Sequence, residues 1–190
     1  MFKKLQNGKN LISKGGKGFT LVELMIVIAV IALLILVLLP RVGIIKNKSR
    51  EAGMRTNLVM LEGIIQSVID EYPFDGVAAV EARIAADIDA VAVDNQKLKN
   101  PFTGTVTDTH NCLPAAVLAG DVVVYSTAAY ADEAAVDAAW TATVGGADAT
   151  VAEGVIAYAA FPNGNKLNVR LIPYGVGGAR IDALRKTISQ

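Results

Sequence analysis

Phe19–Leu39 reads FTLVELMIVIAVIALLILVLL, twenty-one residues with one charge, Glu23. As a helix this run is about 31 Å long, against a hydrocarbon core of about 30 Å. Apolar residues occupy every face, so it belongs in lipid or inside a protein assembly, not at a half-wet surface. Its flanks orient it. Five lysines (Lys3, Lys4, Lys9, Lys14, Lys17) and no acid occupy residues 1–18, which favours a cytoplasmic leader and an exported remainder. Arg41, Lys46, Lys48, Arg50 and Arg55 follow the run and blunt that asymmetry. A secretory signal peptide has a shorter apolar core and a small-residue cleavage site behind it. Here the chain continues Pro40-Arg41-Val42. The stretch suited to a protease lies in front instead: Lys14-Gly15-Gly16-Lys17-Gly18-Phe19 is polar and glycine-rich. A cut after Gly18 removes the charged leader and keeps the apolar helix.

These residues carry a resemblance. Gly18-Phe19-Thr20-Leu21-Val22-Glu23-Leu24 resembles the processing and methylation signature of type IV pilins and pseudopilins, over about residues 14–45 including Pro40. The resemblance implies cleavage between Gly18 and Phe19 by a membrane-embedded aspartic prepilin peptidase, and N-methylation of Phe19. It implies a precursor in the cytoplasmic membrane and, after assembly, an extracellular filament of many copies of the chain. Its partners would be an inner-membrane assembly platform and a cytoplasmic ATPase that supplies the energy. It implies no catalytic residue, cofactor or metal in the subunit itself. Adhesion, motility or DNA uptake would be properties of the filament. The nearest rival is a pseudopilin of a type II secretion system. A more distant one is a membrane-tethered surface domain with an uncleaved anchor. The chain departs from the commoner pattern in two ways: it has a single cysteine, Cys112, where many pilins have a C-terminal pair, and its leader of 18 residues is long.

Glu23 has a physical logic of its own. A carboxylate within hydrocarbon costs about 2.5–3.5 kcal/mol on insertion scales. Cleavage after Gly18 would give Phe19 a new α-amino cation, with Glu23 four residues along, one helical turn away. The acid can then pair with its own terminus or with a neighbour's. The resemblance favours the neighbour. A misregistered subunit would bury an unpaired charge, so Glu23 would select axial register. Such a contact is heterologous and builds an open filament when it does not close into a ring.

Pro40 removes an N–H and Gly43 adds backbone freedom, which predicts a kink or local loosening there. The helical pattern then resumes. Met54, Leu58, Leu61, Ile65, Val68 and Tyr72 recur every three or four residues, with Ile64 and Ile69 widening the stripe. One helix is expected from about Phe19 to Tyr72, ended by Pro73-Phe74-Asp75-Gly76. The divisions are a leader at 1–18, a membrane or filament-core helix at 19–39, an amphipathic second half at 40–72 and a head at 73–190. Within the head, a connector spans 77–120, with a short helix through Val80, Ile84, Ile88 and Val91, an N-cap at Asp75 and a turn at Asn100–Gly104. A sheet covers about 121–174. Its strand signals are Asp121–Thr127, Gly154–Phe161 and Lys166–Pro173, the last two joined by a loop at Pro162–Asn165. Leu167, Val169 and Leu171 alternate with Asn168 and Arg170, which predicts an antiparallel sheet covered on one face by the helix stripe. Ala128–Thr141 reads as an inserted helix. The tail, 175–190, would hold a short helix through Ile181, Leu184 and Ile188. The fold class is therefore α+β.

The charge balance excludes some functions. Eighteen bases match eighteen acids overall, but from Thr56 onward 8 bases face 16 acids, and a polyanionic head is a poor nucleic-acid binder. His110-Asn111-Cys112 offers two candidate ligands, short of a four-ligand zinc site, and no oriented dyad. Asp87, Asp89 and Asp94 lack the spacing of a calcium loop and read as a solvated acidic face.

Overall fold

The computed structural model describes residues 18–71, 76–90, 98–106, 109–111, 117–118, 120–140 and 152–190. Val91, Tyr72, Pro73, Asp75, Asp94 and Cys112 lie outside them, and with them the expected helix stop and the Asp75 cap. The chain divides into two compact units, Met1–Gly43 and Ile44–Gln190.

The first helix, α1, is Leu21–Glu71. Helical backbone runs on through Pro40 and Gly43. In the first unit the described side chains from Leu21 to Leu38 are all exposed, and this stretch is long and apolar enough to cross a membrane. Such a surface needs a partner, either lipid or other helices.

The second unit has three layers. The expected stripe on α1 is buried: Met54, Leu58, Leu61, Ile65, Val68 and Ile69 pack with Val80, Ile84 and Ile88 of a second helix, α2 (Val77–Ala90). Both helices lie on one face of a five-stranded sheet. Its strands run in the order β1 (His110–Asn111), β2 (Val123–Tyr125), β3 (Ile156–Asn163), β4 (Lys166–Pro173) and β5 (Lys186–Ser189). Ile156, Tyr158, Ala160, Leu167, Val169, Leu171 and Ile188 face the helices.

The α+β class holds, with three differences from the sequence reading. The sheet is mixed, not wholly antiparallel: β1 pairs parallel with β2, and β2 with β3, whereas β3–β4 and β4–β5 are antiparallel. The path from β2 to β3 contains a helix, α3 (Glu133–Ala139). A crossover of that length and content is what a parallel pair needs. Second, the far face is not solvated. Val136 of α3, Trp140, Val124, Ala157, Ala159, Phe161, Ile172 and Tyr174 form another buried cluster, and Asn168 and Arg170 are buried with it. The polar half of the β4 alternation thus faces protein. Third, the tail makes no α-helix. It forms single 3-10 turns at Val176–Gly178 and Asp182–Leu184, then β5 as an edge strand. Lys186-Thr187-Ile188-Ser189 alternates with period two and carries β-branched residues at its centre, a strand pattern.

The β3–β4 hairpin is tighter than expected. Asn163 pairs with Lys166, leaving Gly164-Asn165 as a two-residue loop with Gly164 at φ 63°. A positive φ at the first loop position is the demand of a II′ turn. Pro162 sits within β3 at no cost. The amides of Ile156 and Ala160 both turn toward the β2 side, the first to Val122 and the second to Glu81. By the same alternation Pro162 would direct its missing N–H past the end of β2, where there is no ladder to lose.

Candidate processing and assembly site

Thr20 precedes the first turn of α1 and caps it. Its backbone N–H donates to Glu23 Oε2 at 2.9 Å, and its hydroxyl donates to the same oxygen at 2.8 Å. In return the Glu23 N–H donates to Thr20 Oγ1 at 3.2 Å. This is a reciprocal capping box, the S/T-x-x-E arrangement that satisfies orphan amides of a first turn. It matters most where no water can satisfy them, as at a helix end entering hydrocarbon. The cap also fixes what lies outside the helix. Gly18 and Phe19 precede it in non-helical backbone and are exposed, Phe19 at 86 %. The Gly18–Phe19 peptide bond therefore lies outside the helix. Both intrachain bonds to the Glu23 carboxylate fall on Oε2.

A family described as prokaryotic N-terminal methylation motif matches residues 14–39. The chain carries the precursor signal of type IV pilins and pseudopilins. No curated protein and no solved structure matches the chain, so the motif bears on the first unit and not on the head.

Within this signal the structure brings Glu23 against Thr20, a residue the sequence reading passed over. The pattern Thr20-x-x-Glu23 at the head of an apolar run is a capping box legible in sequence. Among the other candidates, Asp89 is committed elsewhere: its carboxylate accepts from Thr109 N at 2.8 Å and from the Thr109 hydroxyl at 3.0 Å. Asp87 is exposed on α2, and His110 opens β1 opposite Val124.

The head holds three polar devices, two of them buried and the third half-buried. Asn100, fully buried, donates through Nδ2 to Asp121 O at 2.8 Å and Glu153 O at 2.7 Å, and its Oδ1 accepts from Phe102 N and Thr103 N. It thereby ties the expected Asn100–Gly104 turn to two loops. Gly154 has φ 81°, and a Cβ there would stand 2.1 Å from Asn100 Oδ1, so glycine alone fits. Glu81 of α2, also fully buried, accepts the Ala160 amide at 2.8 Å where β2 has ended, and its backbone carbonyl takes the Tyr158 hydroxyl. Desolvation pushes this carboxyl up to about 8, against the pull of the Ala160 hydrogen bond.

The third device is an ion lattice on the far face of the sheet. Arg170 of β4 grips Asp137 of α3 through Nε and Nη2 at 3.1 and 3.0 Å and reaches Thr187 of β5 at 2.8 Å. Arg185 joins Asp137 from the tail. Arg180 donates to the Asp137 and Trp140 carbonyls, closing the C-terminal end of α3. Burial alone would raise Asp137, but Arg170 and Arg185 outweigh it and hold the carboxyl below its ordinary value.

Proposed function

We propose that the chain is a structural subunit of a type IV pilus-like surface filament, inserted in the cytoplasmic membrane as a precursor and cut between Gly18 and Phe19. Phe19 is then N-methylated. Glu23 sets the register between subunits through the amine of the next Phe19. Pro40 and Gly43 loosen the helix between its apolar core and its head-bearing half. The energy comes from a separate ATPase acting through a membrane platform, and the subunit performs no catalysis. The observation that carries this reading is the conjunction at the N-terminus: an exposed Gly18–Phe19 bond, a helix capped one residue later, and a following apolar helix whose described faces are all uncovered. A pseudopilin of a secretion system shares the same precursor signal and processing. It would build a short piston, not an abundant fibre.

The test is mass spectrometry of sheared surface material joined to electron microscopy. The expected result is fibres whose subunit begins at methylated Phe19. Mature material that retains residues 1–18, or that never leaves the membrane as polymer, would overturn the reading. Correct processing with short, membrane-bound assemblies would favour the pseudopilin.

A further inference from the structure

The bases that follow the apolar run need a reason, since cation-rich flanks on the exported side oppose the orientation set by the leader. Two of them have partners. Arg55 pairs with Glu51 at 2.9 Å, and the Arg50 guanidinium lies 4.8 Å from the centre of the Phe102 ring. Lys46 and Lys48 are exposed and, among the described residues, make no ion pair or hydrogen bond. Beside them Ile44 and Ile45 are 60 % and 65 % exposed. Ile44 and Lys48 also line an open groove of about 520 Å³ whose other side includes Phe102, Val176 and Ile181. Exposed isoleucines next to uncommitted ammonium groups are interfacial chemistry: the apolar groups enter the acyl boundary and the lysine stems reach phosphate.

Position and charge identify the occupant. In sequence, Lys48 follows Leu38, the end of the apolar span, by ten residues. Within the second unit, Glu51, one turn from Lys48 and lining the same groove, is taken by Arg55, and the exposed acids of α1 lie at its far end. Asp70 and Glu71 are about 33 Å beyond Lys48 along the helix, several screening lengths away at physiological salt. Glu62, nearer, is taken by Lys186. The start of the second unit thus carries uncommitted cations close in sequence to the apolar span.

We propose that Lys46 and Lys48, flanked by Ile44 and Ile45, dock on the headgroups of anionic phospholipid at the surface from which the unassembled precursor emerges. The proposal rests on the membrane-inserted precursor but not on the filament. Near an anionic surface each lysine is worth about a fivefold gain in binding, lost when salt shortens the screening length.

The full chain is placed in nanodiscs of phosphatidylcholine alone, or with roughly one-third phosphatidylglycerol, and amine acylation is read by mass spectrometry. Lys46 and Lys48 are expected to label about fivefold more slowly in the anionic discs, and equally in about 1 M salt. Lys166, exposed on the β-hairpin, is expected to label alike in both. Equal labelling of Lys46 and Lys48 in a chain that has entered both discs overturns this proposal and leaves the membrane anchor standing. Protection that appears only in assembled fibres, whatever the lipid, overturns it in favour of a second copy of the chain. A chain that enters no disc overturns the anchor as well.

Discussion

Glu23 does two things that one pair of substitutions separates. Inside its own chain the carboxylate closes the capping box with Thr20. Between chains it is proposed to meet the amine of a neighbouring Phe19. Loss of a cap costs about 1 kcal/mol. A carboxylate–ammonium contact at about 4 Å in an effective dielectric of about 20 is worth about 4 kcal/mol, near a thousandfold in an association constant. Glu23→Gln keeps an acceptor oxygen of the right reach, since glutamine serves at this position of a capping box as glutamate does. It removes only the charge. Glu23→Ala removes both. If register is the role, both variants insert in the membrane and lose the leader, yet both shed at least tenfold less sheared fibre than the parent, quantified by immunoblot with micrographs as a check. If the cap is the whole role, the glutamine variant assembles at parental yield and only the alanine variant suffers. Parental fibre yield from Glu23→Gln would refute the register argument outright, because no charge would remain to select the stagger.

Two further outcomes follow from the head. The Glu81 carboxyl is neutral in the folded protein up to about pH 8, whereas in the unfolded chain it ionises near pH 4.5. The folded state therefore holds the extra proton between these values, and stability falls as pH rises through that window, by about 1 kcal/mol per pH unit from this group. Glu81→Gln keeps an acceptor for the Ala160 amide and should flatten that slope in urea melts from pH 5 to 8; an unchanged slope would show that Glu81 is not the group responsible. Asp137 runs the other way. Its depressed value contributes stability at neutral pH that is lost as pH falls through and below about 4. Asp137→Asn should loosen α3 from the tail and cost about 2–3 kcal/mol, read as faster proteolysis after residue 175 and as a smaller loss of stability on acidification; a parental acid profile would remove Asp137 from the lattice's energetics.

The first unit and the α1 stripe were legible because each is a one-dimensional pattern. An unbroken apolar run and a repeat of three and four residues declare a helix and its buried face, and Leu58, Leu61 and Ile65 are where the repeat puts them. Strand pairing is not one-dimensional. Nothing in Val123–Tyr125 itself says that its partner runs parallel; that depends on the path the chain takes through α3. Alternation places Arg170 on the face opposite the helix stripe without saying what covers that face. The anions that cover it, Glu133 and Asp137, come from a helix more than thirty residues away in sequence. The tail strand was lost to the spacing of Ile181, Leu184 and Ile188, which fits a helix as well as two 3-10 turns and an edge. The capping box is legible too, in the Thr20-x-x-Glu23 pattern, but only when Glu23 is taken as a hydrogen-bond acceptor as well as a charge.

The cap bears directly on the proposed processing. On the proposed reading, the helix has to begin late enough for a peptidase to bind the Gly18–Phe19 bond in extended form. It must also begin early enough that few amides enter hydrocarbon without an acceptor, each at a cost of several kcal/mol. A helix starting one turn earlier would hide the scissile bond within its first turn. One starting a turn later would carry Thr20, Leu21 and Val22 into lipid as uncapped backbone. The threonine at position 20 and the acid at position 23 fix the boundary between those failures, within a residue of the proposed cut. The residue proposed to select register in the polymer is thus also one half of the cap that starts the helix just after the proposed cleavage bond. A chain that moved Glu23 by one position would lose the cap and the stagger together. Thr20→Ala tests this directly. It leaves the charge of Glu23 in place while removing its hydroxyl partner, so fibre yield should fall far less than with Glu23→Gln, and a loss as large would mean that the cap, not the charge, governs assembly.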